Sequence, residues 1–455
     1  MKELLMAKKI AQKVAELGGT TYYVGGCVRD KLLGLEVKDI DIEVHGIEVS
    51  SLMDILDSLG KRKMIGESFG IFMLSGYDLD ISMPRKEDKR GIHHQDFDIT
   101  IDPFIGTLGA SIRRDFTINA LMEDVISGKV IDHFDGIKDL KNKVIRHVND
   151  ATFKEDSLRV LRACQFASRF GFRIAKETIE LCKEIDLSNL PKERIEGELK
   201  KALLKGQKPS IFFDYLKEMG KLDYWFKELL LLEDVKQNPT FHAEGSVYRH
   251  TMLVLDNGAK FLDDVKEPYP FMLSCLCHDF GKVVATTEEN GVIKAINHEN
   301  SGDDLIVSFL HRFTSEKRTI KYVINMARNH MRPNVCAKDN AGIKTTNKMF
   351  DLSICPSDLI ILSYVDRLGQ VNDLEFVDYR PFLYERLKIY EEIMAKPYIT
   401  GKDLMELGLR PRKYYGEVLE YAHKLRLAGV SRELALPQVI SYFGQLKTKK
   451  NDIND

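Results

Sequence analysis

The stretch KDIDIEV, residues 38–44, constrains the chain more than any other, because Asp39, Asp41 and Glu43 alternate with Ile40, Ile42 and Val44. In an extended strand successive side chains point to opposite faces, so one face here is aliphatic and must be covered while the other carries carboxylates. The spacing predicts a strand of a small sheet, with Asp39 and Asp41 about 7 Å apart on one face. Upstream, YYVGGCVRDKLLG sets Gly25 and Gly26 between a strand pattern and a short amphipathic helix. Without Cβ atoms their N–H groups can close on an anion, and the helix adds its positive end, with Arg29 one turn inside it. Carboxylates at this spacing suit Mg²⁺, a hard cation that takes oxygen ligands and keeps positions for phosphate oxygens. A third carboxylate is expected from a later strand. DISMPR supplies Asp80, with Asp78 as its rival, and Glu43 is assigned to structure. Singly, a Gly pair is an ordinary turn and an Asp-x-Asp strand an ordinary solvated face; it is their order that carries weight.

The alternation recurs as GIFMLS, YDLDISM and FDITID among helical patterns such as SSLMDILDSLG. Residues 1–145 therefore read as an α+β head with a small mixed sheet. From about 146 the strand signals stop, and an all-α remainder is expected: a neck over 146–235, a third domain over 236–395 and a tail over 396–455. Pro191 marks one helix start, and Thr400 with Asp403 forms a capping-box start for another. No apolar run approaches membrane-spanning length, and the first residues are charged every few positions, so a cytoplasmic protein is expected. The seven cysteines contain no Cys-x-x-Cys and are read as reduced core thiols. A net charge of −2 with 30 % charged residues neither selects nor excludes nucleic acid. Basic stretches at 84–90, 409–415 and 446–451 could track phosphates or simply be solvated.

The ordered GG and Asp-Ile-Asp elements resemble the signature of polymerase-β-like nucleotidyltransferases. RRDFTINAL, residues 113–121, narrows the likeness to class II tRNA nucleotidyltransferases, the CCA-adding enzymes, and to the related bacterial poly(A) polymerases. On physical grounds alone that segment would pass as a basic helix start. The resemblance implies that Arg113, Arg114, Asp115 and Asn119 contact the ribose and phosphates of an incoming nucleotide. EDSLR, residues 155–159, would on a helix bring Asp156 and Arg159 to one face. The resemblance makes them the readers of the CTP and ATP bases, with Glu155 orienting them and Arg162 on the nucleotide path; the alternative is an ordinary helical ion pair. Gln165 stands where the family commonly has arginine, which removes a fixed charge near the triphosphate or RNA. ERIEGELKKAL, residues 193–203, resembles the family's neck motif, in which Glu193, Arg194 and Glu198 brace helices. The loop over 84–98 occupies the place of one that helps CCA-adding enzymes pass from C to A addition, which favours full CCA synthesis. The implied reaction is attack of a tRNA 3′-hydroxyl on the α-phosphate of CTP or ATP, with Mg²⁺ on Asp39, Asp41 and Asp80 and the tRNA end and acceptor arm held by shape.

A second constellation begins at HDFGK, residues 278–282, at the end of an apolar helix pattern. Adjacent His278 and Asp279 can offer nitrogen and oxygen to one metal, which suits a hydrolytic centre better than a structural zinc. A lone helical histidine is more often structural; the series His250, His278, Asp279, Asp366 resembles an HD phosphohydrolase domain. His298 and His330 match the extra histidines of HD proteins that hold two metals. The resemblance implies a divalent transition metal and, as in some bacterial CCA-adding enzymes, a 2′,3′-cyclic phosphodiesterase or phosphatase. The run from Ile399 to Ala422 is similar to the tail of such enzymes, except that Arg412 and Lys413 follow Pro411 where the family often has Gly-Pro. Two rival expectations stand: a poly(A) polymerase or an enzyme adding only CC or A, and a metal phosphohydrolase with a nucleotide-sensing head.

Overall fold

The structure, a computed structural model, describes residues 2–37, 39–65, 71–89, 97–410 and 412–451. Residues 90–96, the middle of the expected C-to-A loop, and Pro411 lie outside the described residues. The chain forms two compact units, Met1–Trp225 and Phe226–Asp455.

The first unit holds a mixed sheet of seven strands: β1 (Thr20–Val24), β2 (Ile40–His45), β3 (Arg62–Ile65), β4 (Ile71–Leu74), β5 (Leu79–Ser82) and, after the β6 (Arg85–Lys89) and β7 (Phe97–Ile101) hairpin, β8 (Met122–Asp124) and β9 (Val130–Ile131). The order is β3-β4-β5-β2-β1-β8-β9. Neighbours run antiparallel except β2 and β5, which are parallel. The alternation in β2 does what its pattern requires. Ile40, Ile42 and Val44 are buried against helices Lys2–Glu16 and Val49–Leu59, whose Met6, Ile10, Val14, Leu52 and Leu56 recur at helical spacing. Phe72, Leu79 and Ile81 of β4 and β5 complete this layer. Truncating a fully buried member such as Ile42 to alanine would cost about 2–5 kcal/mol. Asp39 precedes the strand in a bend and is exposed, so the expectation that it lies within the strand is corrected: regular pairing begins at Ile40, though the Asp39 charge still reaches Asp41 and Asp80.

Helices follow from residue 150, including Leu158–Phe170 and Lys192–Lys205, the latter starting after Pro191 as expected. The second unit is mainly helical, with two exceptions to the strand-free expectation for the chain beyond 146. Val144–Ile145 pairs in parallel with Arg173–Ile174 in the first unit. In the second, Thr286–Glu289 and Val292–Ala295 form a hairpin. Its turn is Asn290–Gly291, with φ of 52° and 75°. Both values are positive, as a two-residue hairpin turn requires, and Asn-Gly followed by Val292 and Ile293 is a signal the helical reading overlooked. Near the chain end Leu404, Val418, Ala422, Val439 and Phe443 close a separate small core. The Thr400–Asp403 capping box that starts this region is fully formed. All seven cysteines are free thiols, and Cys336 alone is only half-buried rather than in the core. No helix among the described residues is long and apolar enough to cross a membrane.

Candidate active site and metal centre

In the head, the parallel pairing of β2 with β5 puts Asp41 in register with Asp80. Asp78 lies outside β5, so the register favours Asp80 as the neighbour of Asp41. Burial raises the Asp41 carboxyl, Asp80 and Asp39 raise it further, and Arg114 opposes them. Asp80 is likewise raised by burial and then by Asp78 and Asp39. Negative charge is thus gathered at one sheet position, and a divalent cation would relieve the repulsion. Mg²⁺ needs only one or two protein carboxylates when water and phosphate oxygens fill its remaining positions, so this pair fits it. Gly25 has φ of +68° and caps the short helix Gly26–Leu32. A Cβ there would sit 3.8 Å from Arg114 Nη1 and 3.9 Å from Asp41 Oδ2, which places the bare turn, the arginine and the carboxylate around one point.

The RRDFTINA residues follow the end of helix Gly106–Ser111, and their second half, Thr117–Asn119, forms a single 3₁₀ turn; they do not start an α-helix. Arg113 Nη2 lies 2.8 Å from Glu155 Oε2, and Arg114 Nη2 lies 3.1 Å from Glu43 Oε2. Asp115 is buried. It accepts from Asn119 Nδ2 at 2.9 Å and from Arg162 Nε at 2.8 Å. Burial works against its charge, but Arg162 and Asn119 hold the carboxyl below the ordinary range. Arg29, expected on the nucleotide's path, is engaged with its neighbours. Its guanidinium is buried, donates to Asn119 Oδ1 at 2.6 Å and Asp30 Oδ1 at 2.8 Å, and stacks near Phe166 and Phe170. It therefore holds Asn119 in place from behind.

The EDSLR residues also depart from expectation. One helix ends at Glu155 and the next begins at Leu158, with Asp156 extended between them. Asp156 accepts its own chain's Leu158 N–H at 3.1 Å, and this local bond competes with helix continuation. Its carboxylate is gripped by Arg194 through Nη1 at 3.2 Å and Nη2 at 2.9 Å. Arg159 donates to the carbonyls of Thr152 and Arg113, each at 2.8 Å. Glu198 sits 2.8 Å from Lys201 and 3.9 Å from Arg162, a bracing arrangement. Gln165 is buried, 2 % exposed, so the position is not a surface charge site.

In the second unit the expected metal ligands converge. His250 comes from helix Val247–Gly258, started by the Ser246 cap; His278 and Asp279 follow helix Pro268–Cys277; His298 opens a short helix; His330 ends helix Lys317–Asn329; Asp366 lies in helix Pro356–Gly369. His250 Nε2 is 2.9 Å from Asp366 Oδ1. His278 Nε2 is 3.3 Å from Asp279 Oδ2, while His298 Nε2 and His330 Nε2 are 3.2 and 3.8 Å from its Oδ1. His278, His298 and His330 each place Nδ1 within 2.9 Å of a backbone carbonyl, of Cys275, Ala295 and Ala327 respectively. Nδ1 thus donates its proton outward, which leaves Nε2 as a lone pair aimed inward. His278 Nε2, His298 Nε2 and Asp279 Oδ1 are buried without a hydrogen-bond partner, while Asp279 Oδ2 faces the Lys282 ammonium at 2.7 Å. Such orphaned atoms are costly unless a cation satisfies them, so the residues fit a metal. His330 is pushed down to about 4 by burial and by His278, and so stays neutral.

Sequence reasoning missed three residues here. Glu244 bridges His242 Nδ1 at 2.7 Å and His250 Nδ1 at 3.0 Å and accepts the Val371 N–H at 2.9 Å. A carboxylate behind a metal-facing imidazole fixes its orientation; an isolated Glu in a loop gives no sequence signal of that kind. Lys282 reaches Asp279 Oδ2 at 2.7 Å and Gln237 Oε1 at 2.8 Å. A cavity of about 470 Å³ opens over the cluster, lined in part by Lys236, Lys282, Lys294, Phe241, His242 and Ile296. Gly281 matters as well, because a Cβ there would lie 1.8 Å from the His298 carbonyl oxygen.

Groups of three or more potential ligands within 4.8 Å of one another lie, among the described residues, only in this second unit. The head carboxylates are a looser arrangement.

A sheet that sets carboxylates of parallel neighbours beside a glycine turn and an arginine is the frame of a nucleotidyltransferase head. Residues 21–146 match the Poly A polymerase head domain family, and residues 171–232 match the probable RNA and SrmB-binding site of polymerase A. The multifunctional CCA protein of Mannheimia succiniciproducens is 38 % identical over 290 residues, 62 % of this chain and 67 % of the relative. That of Pasteurella multocida is 37 % identical over 289 residues, 62 % of this chain and 66 % of the relative. The chain belongs to the CCA-adding enzyme family. The fold agrees: a Bacillus stearothermophilus CCA-adding enzyme in complex with CTP superposes with a TM-score of 0.69 at 19 % identity, covering 99 % of this chain and 100 % of that one. A Thermotoga maritima CCA-adding enzyme complexed with tRNA gives 0.64 at 21 %, covering 97 % and 95 %.

Proposed function

We propose that the protein is a tRNA nucleotidyltransferase that builds or repairs the 3′-terminal CCA from CTP and ATP in the cytoplasm. The observation that carries this reading is the register of Asp41 against Asp80 beside Gly25 and Arg114, in a chain of this family. Asp41 and Asp80, with Asp39 at the strand entrance, would hold Mg²⁺, which supplies charge neutralisation for an attacking 3′-hydroxyl and a leaving pyrophosphate. Backbone N–H groups at Gly25 and Gly26 donate to phosphate oxygens, and Arg113 and Arg114 offset their charge. Asp115 and Asn119, locked by Arg162 and Arg29, set the ribose position. Asp156 presents acceptors and Arg159 donors to the base edge, each exchanging a partner it holds in the free protein. The tRNA is gripped by its shape and backbone, since every tRNA must be accepted.

The cluster in the second unit supports a further activity. Asp279 faces His278 through one oxygen and His298 and His330 through the other, so it can bridge two ligand sets, with His250 and Asp366 completing the first. These residues would hold divalent transition metal ions, which supply an activated water for phosphoester hydrolysis. Glu244 orients His250, and Lys236, Lys282 and Lys294 make the cavity attractive to a phosphate. We assign this HD-type site to removal of a 2′,3′-cyclic or terminal phosphate from a damaged tRNA end, which would restore the hydroxyl that the head extends.

The test is to incubate the purified protein with tRNAs truncated by one, two or three nucleotides, with CTP and ATP supplied separately, and to sequence the ends. Stepwise C, C and A addition, lost in D39A/D41A, is expected. Long A tracts on generic RNA would mean a poly(A) polymerase. Phosphatase output alone, unchanged in D39A/D41A, would overturn the transferase reading.

A further inference from the structure

Glu43 lies one pleat beyond Asp41 on the carboxylate face of β2. It is not a solvated neighbour: its side chain is 9 % exposed, while that of Arg114 is 32 % exposed. Both of its oxygens are engaged, Oε1 with His45 Nε2 at 2.9 Å and Oε2 with Arg114 Nη2 at 3.1 Å. His45, the next residue on the same face, is itself held, because Tyr22 meets its ring edge-on at 5.1 Å. Tyr22 is the β1 register partner of Glu43, so strand pairing fixes this brace.

The energetics argue against a packing role. A buried carboxylate costs several kcal/mol of desolvation, and an aliphatic side chain would fill a sheet position without that cost. Burial pushes the Glu43 carboxyl up, yet His45 and Arg114 hold it below the ordinary range, so the charge is kept. What the charge holds is one edge of the Arg114 guanidinium. The other terminal nitrogen, Nη1, lies over the bare turn at Gly25, 3.8 Å from where a Cβ would sit, and Asp41 Oδ2 lies 3.9 Å from the same point. Arg114 therefore spans from a buried anchor to the point where a phosphate would meet the glycine backbone. A free arginine loses rotamer entropy when a ligand fixes it; an arginine already pinned at one edge has lost part of this on folding.

We propose that Glu43 is a positioning residue that holds Arg114 toward the phosphates of the incoming nucleotide, with His45 as its brace. The proposal rests on the nucleotidyl-transfer reading of the head.

The experiment is a double-mutant cycle in the full chain with E43Q, E43D, R114A and E43Q/R114A. Two readouts are needed: equilibrium binding of CTP and of ATP with Mg²⁺ in the absence of tRNA, and KM and kcat on truncated tRNA. Losing a charge-assisted hydrogen bond at this position predicts that E43Q weakens both nucleotides roughly tenfold. KM should rise to match, with kcat changed by less than about threefold, the signature of lost binding rather than lost chemistry. E43D should recover most of the loss, and E43Q should add nothing in the R114A background. Wild-type nucleotide affinity in E43Q, or an effect that adds in full to that of R114A, would make Glu43 a packing residue and overturn the proposal. Should E43Q fail to fold, E43D and H45Q carry the same cycle, each expected to weaken binding a few-fold through Arg114 only. A wild-type protein that binds nucleotide but extends no tRNA would sink the transfer reading, while the binding cycle still decides the role of Glu43.

Discussion

At the scale of single residues, Asp41 and Asp80 show a site working against its own fold. Each carboxyl is raised by burial and by its acidic neighbours. A carboxyl whose folded value exceeds its unfolded value weakens the fold once ionised. Stability is therefore lost as pH rises from the unfolded value, about 3.9 for Asp, through the raised one. D41N should raise Tm at neutral pH, by on the order of 2 °C, while abolishing nucleotide addition. Mg²⁺ should raise the Tm of the wild type and leave that of D41N unchanged; calorimetry with and without Mg²⁺ checks both, and a lowered Tm in D41N would contradict the account. The two aspartates were legible in the alternation of KDIDIEV and in DISMPR. Arg29 was not, because a sequence shows its place on a helix but not that Asn119, 90 positions away, takes its Nη1.

At the scale of elements, the site depends on where helices stop. Asp156 and Arg159 lie at a break between two helices rather than along one, and the break lets Asp156 face Arg194 of another helix. Periodicity missed this because the residues on either side are helical and the interruption is a local side-chain bond. In the second unit the decisive local feature is Gly281. The segment that starts with His298 passes so close that a Cβ at Gly281 would meet the His298 carbonyl at 1.8 Å. G281A should displace His298 and weaken divalent metal binding by at least tenfold, within the range for lost support of a ligand, with Tm lowered as well. Isothermal titration with Mn²⁺ or Ni²⁺ reads the affinity; unchanged binding would show that His298 is not a ligand. The hairpin Thr286–Glu289 and Val292–Ala295 leads into this segment, and its Asn-Gly turn was readable in the sequence once strands were sought there.

At the scale of the whole molecule, each unit closes its own core and carries its own charged site. Two ligand responses should therefore be separable in the melting of the full chain. Mg²⁺ with CTP should raise one transition, a transition metal should raise another, and D279A should remove only the second. A single transition that both ligands shift by the same amount would refute this independence.

The sequence by itself determined the alternating strand with its carboxylates, the glycine turn and the mainly helical remainder, because period and spacing are local properties of the chain, and a family resemblance pointed to the histidine and aspartate series that converges in the second unit. Only the tertiary structure decided that Asp80 rather than Asp78 stands beside Asp41, that Arg194 holds Asp156, and that Glu244 and Glu43 stand behind His250 and Arg114. Those pairings are made by strand register and by helices packed across long sequence separations, and a buried charge finds its partner through space rather than along the chain.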